Sequence, residues 1–151
     1  MTKHRMQSGF TLVELLIVVI ILGILAAVVI PQFNTAAAES KESALASNLA
    51  TIRQAVELYK VQHDDNYPGS AIVNQLTMTT DASGSTAGTK YGPYLRNSFP
   101  ENPIDGSSTV SVESMAAPSG SDEGWIYDDT TGEFRANTDG AGPSGKNYFD
   151  L

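Results

Sequence analysis

The feature that most constrains this chain is an apolar run near its beginning, residues 12–30. The run is 19 residues long and carries a single charged residue, Glu14. As a helix it would extend roughly 28 Å at about 1.5 Å per residue, close to the hydrocarbon thickness of a bilayer. A carboxylate inside such a segment costs on the order of 2.5–3.5 kcal/mol on insertion scales. We therefore expect Glu14 to have a functional partner.

Two ordinary kinds of N-terminal segment fit this run poorly. A secretory signal peptide has an apolar stretch of about 7–15 residues followed by a small-residue cleavage site. Here the start is basic, with Lys3 and Arg5, but the apolar stretch is longer, and the small residue best placed for processing, Gly9, precedes it. A plain transmembrane anchor explains the length of the run but leaves Glu14 unexplained.

The residues around the start of the run form a specific pattern. The stretch Gly9-Phe10-Thr11-Leu12-Val13-Glu14, with the apolar residues that follow as far as Pro31, resembles the N-terminal signature of type IV pilins and pseudopilins. The resemblance implies that a prepilin peptidase cuts between Gly9 and Phe10 and N-methylates Phe10. It also implies that Glu14 pairs with the N-terminal amine of a neighbouring subunit in a filament.

Electrostatics leads to the same role for Glu14. A free or methylated amine at Phe10 is positively charged at neutral pH. A buried charge is costly alone and tolerated when it is paired, so Glu14 would favour an assembled array over a lone protomer. The alternative is that Glu14, only two residues into the run, reaches the cytoplasmic interface and stays solvated.

Charge also predicts the orientation of the chain. The basic residues precede the run, so the positive-inside rule places residues 1–9 in the cytoplasm and the part after Pro31 across the membrane. The family resemblance implies that this membrane is the bacterial inner membrane and that the exported part lies in the periplasm. Without Lys3 and Arg5 the chain keeps seven basic against 17 acidic residues, a net charge of −10. This acidity argues against direct binding of nucleic acid by the exported part.

Beyond Pro31 the apolar pattern becomes that of an amphipathic helix. Five apolar residues recur at spacings of three and four, which places them on one face: Leu45, Leu49, Ile52, Val56 and Tyr59. We expect a continuous helix over residues 10–63, some 80 Å long, which stops at the turn-forming residues 64–69. Pro31 lacks a backbone donor and predicts a kink or a local loss of helix.

The remainder of the chain has the pattern of a small mixed-content domain. Residues 71–76 predict a short helix, and residues 109–113, 124–128 and 133–137 predict three strands, the last two joined by a hairpin turn. Trp125 and Tyr127 alternate onto one face, where we expect them to pack on the helix stripe. The predicted fold is α+β, the pilin fold: a long N-terminal helix on a small antiparallel sheet.

These observations divide the chain into four predicted parts. They are a cleaved leader (1–9), a transmembrane and assembly helix (10–31), the amphipathic half of the long helix (32–63) and a C-terminal α+β part with a variable loop (64–151). The chain has no cysteine, so the exported part must be stabilised by packing, assembly or a metal ion.

Short motifs in the second half point to one branch of the family. Asp65-Asn66-Tyr67-Pro68, Gly92-Pro93-Tyr94-Leu95 and Asn102-Pro103 are similar to segments of the major pseudopilin of type II secretion. The resemblance implies a short periplasmic filament that supports protein export across the outer membrane. The chain departs from that branch at Ile104-Asp105-Gly106 and in its Ser/Gly-rich insert before Tyr91.

That branch commonly holds calcium in a C-terminal loop, so the resemblance makes calcium a possible ligand. Calcium requires several oxygen ligands. Residues 137–145 offer one aspartate, Asp139, with Asp150 further on, and we assign no ligands and no other cofactor.

The sequence therefore predicts a structural, non-enzymatic filament subunit. Its expected partners are copies of itself and related pilins, the prepilin peptidase and an inner-membrane assembly platform. The alternative within this class is a type IV pilin of a surface filament for adhesion, motility or DNA uptake. A membrane-tethered enzyme or binding module is a more distant alternative, because the acidic residues are dispersed.

Overall fold

The first element is a 51-residue helix, α1, Leu12–Gln62. Its bounds agree with the predicted helix to within two residues at either end. The helix continues through Pro31 without interruption, so the expectation of a local loss of helix there is wrong, while the kink stays a prediction. The structure, a computed structural model, describes residues 10–96, 98–115, 118 and 123–151.

The chain forms two units, residues 1–37 and 38–151, and the border lies within α1. The second unit contains the remaining elements: a short helix α2 (Ile72–Thr77), strands β1 (Val110–Val112), β2 (Trp125–Tyr127) and β3 (Phe134–Ala136), and a 3-10 turn at Tyr148–Asp150. The α+β class is confirmed, as are α2 and the three strands. The predicted functional boundaries at residues 9, 31 and 63 stay predictions.

The end of α1 is made by two aspartates in the left-handed region. Asp64 and Asp65 have φ values of 53° and 64°, a conformation that aspartate tolerates better than most residues. The amide of Asp65 then donates to the carbonyl of Lys60 at 3.1 Å, and the Asn66 side chain donates to the carbonyl of His63 at 2.8 Å. The predicted stop over residues 64–69 is confirmed.

The predicted apolar stripe forms the centre of the core. Its five residues, Leu45 to Tyr59, are all at most 2% exposed. They belong to one hydrophobic cluster with the inward side chains of the sheet, Trp125, Tyr127 and Phe134. These aromatic residues are therefore part of the hydrophobic core and do not form a ligand platform.

The sheet is mixed, and the prediction of a wholly antiparallel sheet is wrong. Strands β2 and β3 pair antiparallel, which confirms the predicted hairpin, with Trp125 opposite Ala136 and Tyr127 opposite Phe134. Strand β1 pairs parallel with β2, with Val110 opposite Trp125. A parallel pair needs a crossover connection, and the 12 residues between β1 and β2 are long enough for one. No pattern in the sequence specified the direction of β1.

Two buried or half-buried amides tie the loops to this core. Asn102 is fully buried, and its side chain donates to Gly124 O and Thr138 Oγ1, both at 2.8 Å, and accepts from Ile104 N at 3.0 Å. Gln75 donates to Tyr59 Oη at 3.1 Å and to Gly84 O at 3.0 Å. Because a buried amide without partners is costly, these contacts fix where the loops lie.

The turn between β2 and β3 is organised by Asp128. Its Oδ1 accepts from the amides of Thr130 at 2.9 Å and Thr131 at 3.3 Å, and from the Thr130 hydroxyl. These donors lower the pKa of the Asp128 carboxyl to about 2. Gly132 completes the turn with φ +75°, at a point where a Cβ would overlap the Tyr67 ring.

Asp128 should make the stability of this domain depend on pH in the acid range. Its pKa is lower in the folded chain than the value of about 3.9 in an unfolded one, so its contribution is complete above that value and is lost as the pH falls towards about 2. We expect the difference in free energy of unfolding between the wild type and Asp128→Asn to be constant from neutral pH to about pH 5 and to shrink below about pH 4. Urea unfolding across this range measures it.

The exposed neighbour Asp129, which accepts none of these hydrogen bonds, provides the matched control variant Asp129→Asn. A difference between the wild type and Asp128→Asn that stays the same down to about pH 2 would contradict the assignment.

Candidate assembly site at the start of α1

The first turn of α1 is closed by a reciprocal pair of hydrogen bonds between Thr11 and Glu14. The Thr11 hydroxyl accepts from the amide of Glu14 at 3.2 Å, and Glu14 Oε2 accepts from the amide of Thr11 at 3.0 Å. The Thr11 hydroxyl also donates to Glu14 Oε2 at 2.8 Å. This is a capping box, in which the N-cap residue and the third helical residue satisfy each other's free amides.

Thr11 is the residue that the sequence analysis missed as part of this site. The signal was present, because Thr11-Leu12-Val13-Glu14 has the spacing of a capping box ahead of an apolar run. From the sequence, the expected partner of Glu14 is the amine of a neighbouring subunit, not a group of its own chain. The structure shows that a single chain already supplies two donors to one of its two carboxylate oxygens.

Of the residues predicted to act in processing and assembly, the structure describes Phe10, Glu14 and Pro31. Phe10 lies just before the helix and is exposed, while Glu14 lies in its first turn. Gly9 lies outside the described residues, and Pro31 continues the helix. Within the described part of the chain, the polar contacts of Glu14 are with Thr11, and no cation lies within ion-pair distance.

The side chains that follow Glu14 are exposed throughout the apolar run. The large apolar residues between Leu12 and Ile30 range from 41% to 87% exposed. Helix α1 is long and apolar enough to cross a membrane, with a mean hydropathy of 3.2 over its most apolar 18-residue window. An apolar surface of this extent needs either lipid or other protein chains to cover it.

The remaining candidate groups are engaged in structure. His63 is 2% exposed, its Nδ1 lies 2.8 Å from Tyr59 O and its Nε2 lies 3.0 Å from Thr80 Oγ1, and its ring stacks on Tyr59. No group of three or more histidine or acidic side chains that could hold a metal ion occurs within the described ranges.

Comparison with known proteins agrees with the N-terminal pattern. Residues 4–30 match the family described as the prokaryotic N-terminal methylation motif. The type II secretion system core protein G of Aeromonas hydrophila is 31% identical over 106 residues, which cover 67% of this chain and 70% of the relative. The chain belongs to the type II secretion core protein G family.

Other relatives are similar over shorter stretches. Core protein G of Pseudomonas aeruginosa is 41% identical over 61 residues, and this chain spans only 43% of that relative. The type IV major fimbrial protein FimA of Dichelobacter nodosus is 50% identical over 52 residues, or 34% of this chain. No solved structure matches the chain.

Family membership accounts for the features at the start of this core protein G homologue. An apolar N-terminal helix together with a prepilin signature fits a membrane-anchored pseudopilin. The homologues are structural pilin and pseudopilin subunits, and the absence of enzymatic activity stays a prediction.

We expect the capping box to hold the first turn of α1 against fraying. Replacing an N-cap threonine by a residue without a hydroxyl costs about 1 kcal/mol, so Thr11→Val should speed hydrogen exchange of the Glu14 amide about fivefold. Hydrogen exchange measured by NMR on the processed chain in micelles tests this. Thr11→Ser, which keeps the hydroxyl, is the control and should exchange as the wild type does.

Proposed function

We propose that this chain is a structural subunit of the type II secretion pseudopilus, and that it supports protein export across the outer membrane. The apolar part of α1 anchors it in the inner membrane before assembly, with the C-terminal domain in the periplasm. Members of the pilin and pseudopilin family assemble into filaments with other pilins, and this chain would do so through the same helix.

The observation that carries the proposal is the length of the match to core protein G. An alignment of 106 residues cannot fit within residues 1–62, so it extends into the C-terminal domain. The fimbrial match, at 52 residues, is about as long as the 51-residue helix α1. Because the N-terminal helix is common to both kinds of filament, similarity beyond it favours the secretion branch.

A surface pilin is the second candidate. The identity to the fimbrial protein, 50% over its 52 residues, is higher than that to the Aeromonas protein. This supports a shared mode of assembly more than a shared task, because the matched stretch is short. Adhesion, motility or DNA uptake would follow from such a surface filament.

Processing follows from the N-terminal signature. The prepilin peptidase would cut between Gly9 and Phe10, and Phe10 would carry the N-methylated amine. The open position of Phe10, 80% exposed, supports access to this point of the chain. An inner-membrane assembly platform would then extract the processed subunit.

Glu14 would act in assembly with the oxygen that its own cap does not use. The two described contacts from Thr11 both end on Oε2, so Oε1 is available to the positively charged amine of a neighbouring subunit. The cap and the contact between subunits are therefore compatible. Repetition of one such head-to-tail contact without closure produces an open helical filament.

Glutamine at position 14 separates these two roles. Because glutamine serves in a capping box as well as glutamate does, Glu14→Gln keeps the cap and removes only the charge. An unpaired buried amine costs several kcal/mol, so we expect filament yield to fall more than about tenfold in Glu14→Gln and Glu14→Ala alike, with membrane insertion intact.

Filament yield is measured after shearing, and the mass of the extracted subunit shows whether it begins with methylated Phe10. Thr11→Ser serves as the control for a small change in the same turn. Wild-type yield from Glu14→Gln would limit Glu14 to its capping role. A subunit that retains residues 1–9 would contradict the processing.

Deletion of the gene tests the export function directly. We expect selective loss of extracellular proteins, with their folded forms held in the periplasm, and recovery on complementation with the wild type but not with Glu14→Gln. An unchanged set of extracellular proteins, together with loss of surface filaments, would establish the surface pilin instead.

A further inference from the structure

The last described segment of the chain, residues 140–151, is closed by its own main chain. Ala141 and Asn147 form an antiparallel bridge, and Tyr148 N donates to Gly140 O at 3.0 Å. Gly142 N donates to Lys146 O, also at 3.0 Å. The carbonyl oxygens of Gly140 and Lys146 thus already accept hydrogen bonds from amides of the same segment.

The tip of this segment is fastened to α1 by Glu42. Its Oε2 accepts from the amide of Ser144 at 3.2 Å, and its Oε1 accepts from the Ser144 hydroxyl. The approach is close enough that a Cβ on Gly142 would overlap the Glu42 carboxylate. A carboxylate that accepts from both an amide and a hydroxyl makes charge-assisted bonds, which are the stronger kind.

Two arginines hold the other end of the segment. Arg53 on α1 donates to Phe134 O at 3.0 Å and to Leu151 O at 2.8 Å, so it bridges β3 and the segment. Arg135 on β3 lies 3.5 Å from Asp150 Oδ1 and stacks over the Phe149 ring at 4.9 Å. Together, Glu42, Arg53 and Arg135 form what we call the polar clasp.

The clasp leaves a poor donor set for calcium, which takes six to eight oxygen ligands. Asp150 has partners on both carboxylate oxygens. Its Oδ1 faces Arg135, and its Oδ2 accepts from the side-chain amide of Asn147 at 3.1 Å. Asp105 is similarly engaged, with Ser107 N on Oδ1 and Thr138 Oγ1 on Oδ2, both at 2.9 Å. Within residues 137–151, Asp139 is the acid other than Asp150, and Lys146 adds a positive charge to the same stretch.

We propose that the 140–151 segment of this chain folds and stays docked without calcium, because the polar clasp supplies the contacts that a metal ion would otherwise provide. The Arg135 guanidinium is the cationic partner of Asp150, and the neutral side-chain amide of Asn147 is its hydrogen-bond donor. The proposal concerns the folding of this segment and does not depend on the export function.

Thermal unfolding of the processed chain in detergent tests the calcium half of the proposal. We expect Tm to differ by less than about 1 °C between EGTA and about 10 mM CaCl2, with MgCl2 as the ionic control. A calcium site with Kd near 1 mM would raise Tm by about 5 °C at that concentration, and such a rise would overturn the proposal.

Substitution of Glu42 tests the clasp. Glu42→Ala should lower Tm by about 4 °C or more and speed hydrogen exchange of the Ser144 amide, with no recovery when calcium is added. The matched control is Glu39→Ala, one turn earlier on α1, since Glu39 makes no polar contact with the described residues. Unchanged exchange at Ser144 in Glu42→Ala, or its rescue by calcium, would refute the role of the clasp.

A second variant disturbs the contact between Glu42 and Ser144 through a change in the C-terminal segment. Gly142→Ala inserts a methyl group where the Glu42 carboxylate lies, so it should speed exchange at Ser144 as Glu42→Ala does. Gly140→Ala is unsuitable as a control, because Gly140 has φ +95° and any side chain there would be strained. Gly69→Ala is the matched control, because no atom lies within 4 Å of a Cβ added at Gly69. If Gly142→Ala leaves Ser144 exchange unaltered, the close contact with Glu42 does not hold the segment.

Discussion

The packing of one face of α1 against three aromatic side chains of the sheet is the contact on which the C-terminal domain depends. Leu45, Leu49 and Ile52 are at most 1% exposed, and so are Trp125 and Phe134 on the opposite side of the core. A fully buried side chain of this size contributes about 1.5–3 kcal/mol through the hydrophobic effect. Since the chain has no cysteine, no disulfide adds to this packing, and the loops must be secured by polar contacts instead.

Those polar contacts share a common design. The side chains of Gln75, Asn102 and Glu42 each form a hydrogen bond with a main-chain group of another segment, 9, 22 and 102 residues away in sequence. A side chain that satisfies main-chain groups positions a loop without requiring regular structure in it. The described part of this domain has nine strand residues, and its loops nevertheless have defined positions.

The sequence was informative wherever the responsible interactions are local. The spacing of Leu45 to Tyr59 predicted the buried face, and the turn residues between β2 and β3 predicted the hairpin. The direction of β1 could not be read, because it depends on the path of a crossover rather than on any residue pattern. The Glu42–Ser144 contact joins positions 102 residues apart, and a solvated helix acid and a loop serine carry no signal that they meet. Thr11 is a different case, because the capping-box spacing from Thr11 to Glu14 is a local signal that the sequence does contain.

The Ser/Gly-rich insert is held at two places, by the pairing of Thr80 with Tyr91 and by the hydrogen bond from Gln75 to Gly84 O. Amide–carbonyl bonds of 2.9 Å in both directions close the base of the insert, and Ala82, Ser83 and Ala87 lie exposed above it. Because each doubling of the length of a flexible loop costs only about 0.6 kcal/mol, extra residues between Ser85 and Thr89 would add little strain to the core. This loop is therefore the natural place to introduce an epitope tag or a fluorophore, so that subunits can be followed in living cells while both helix and sheet stay as they are.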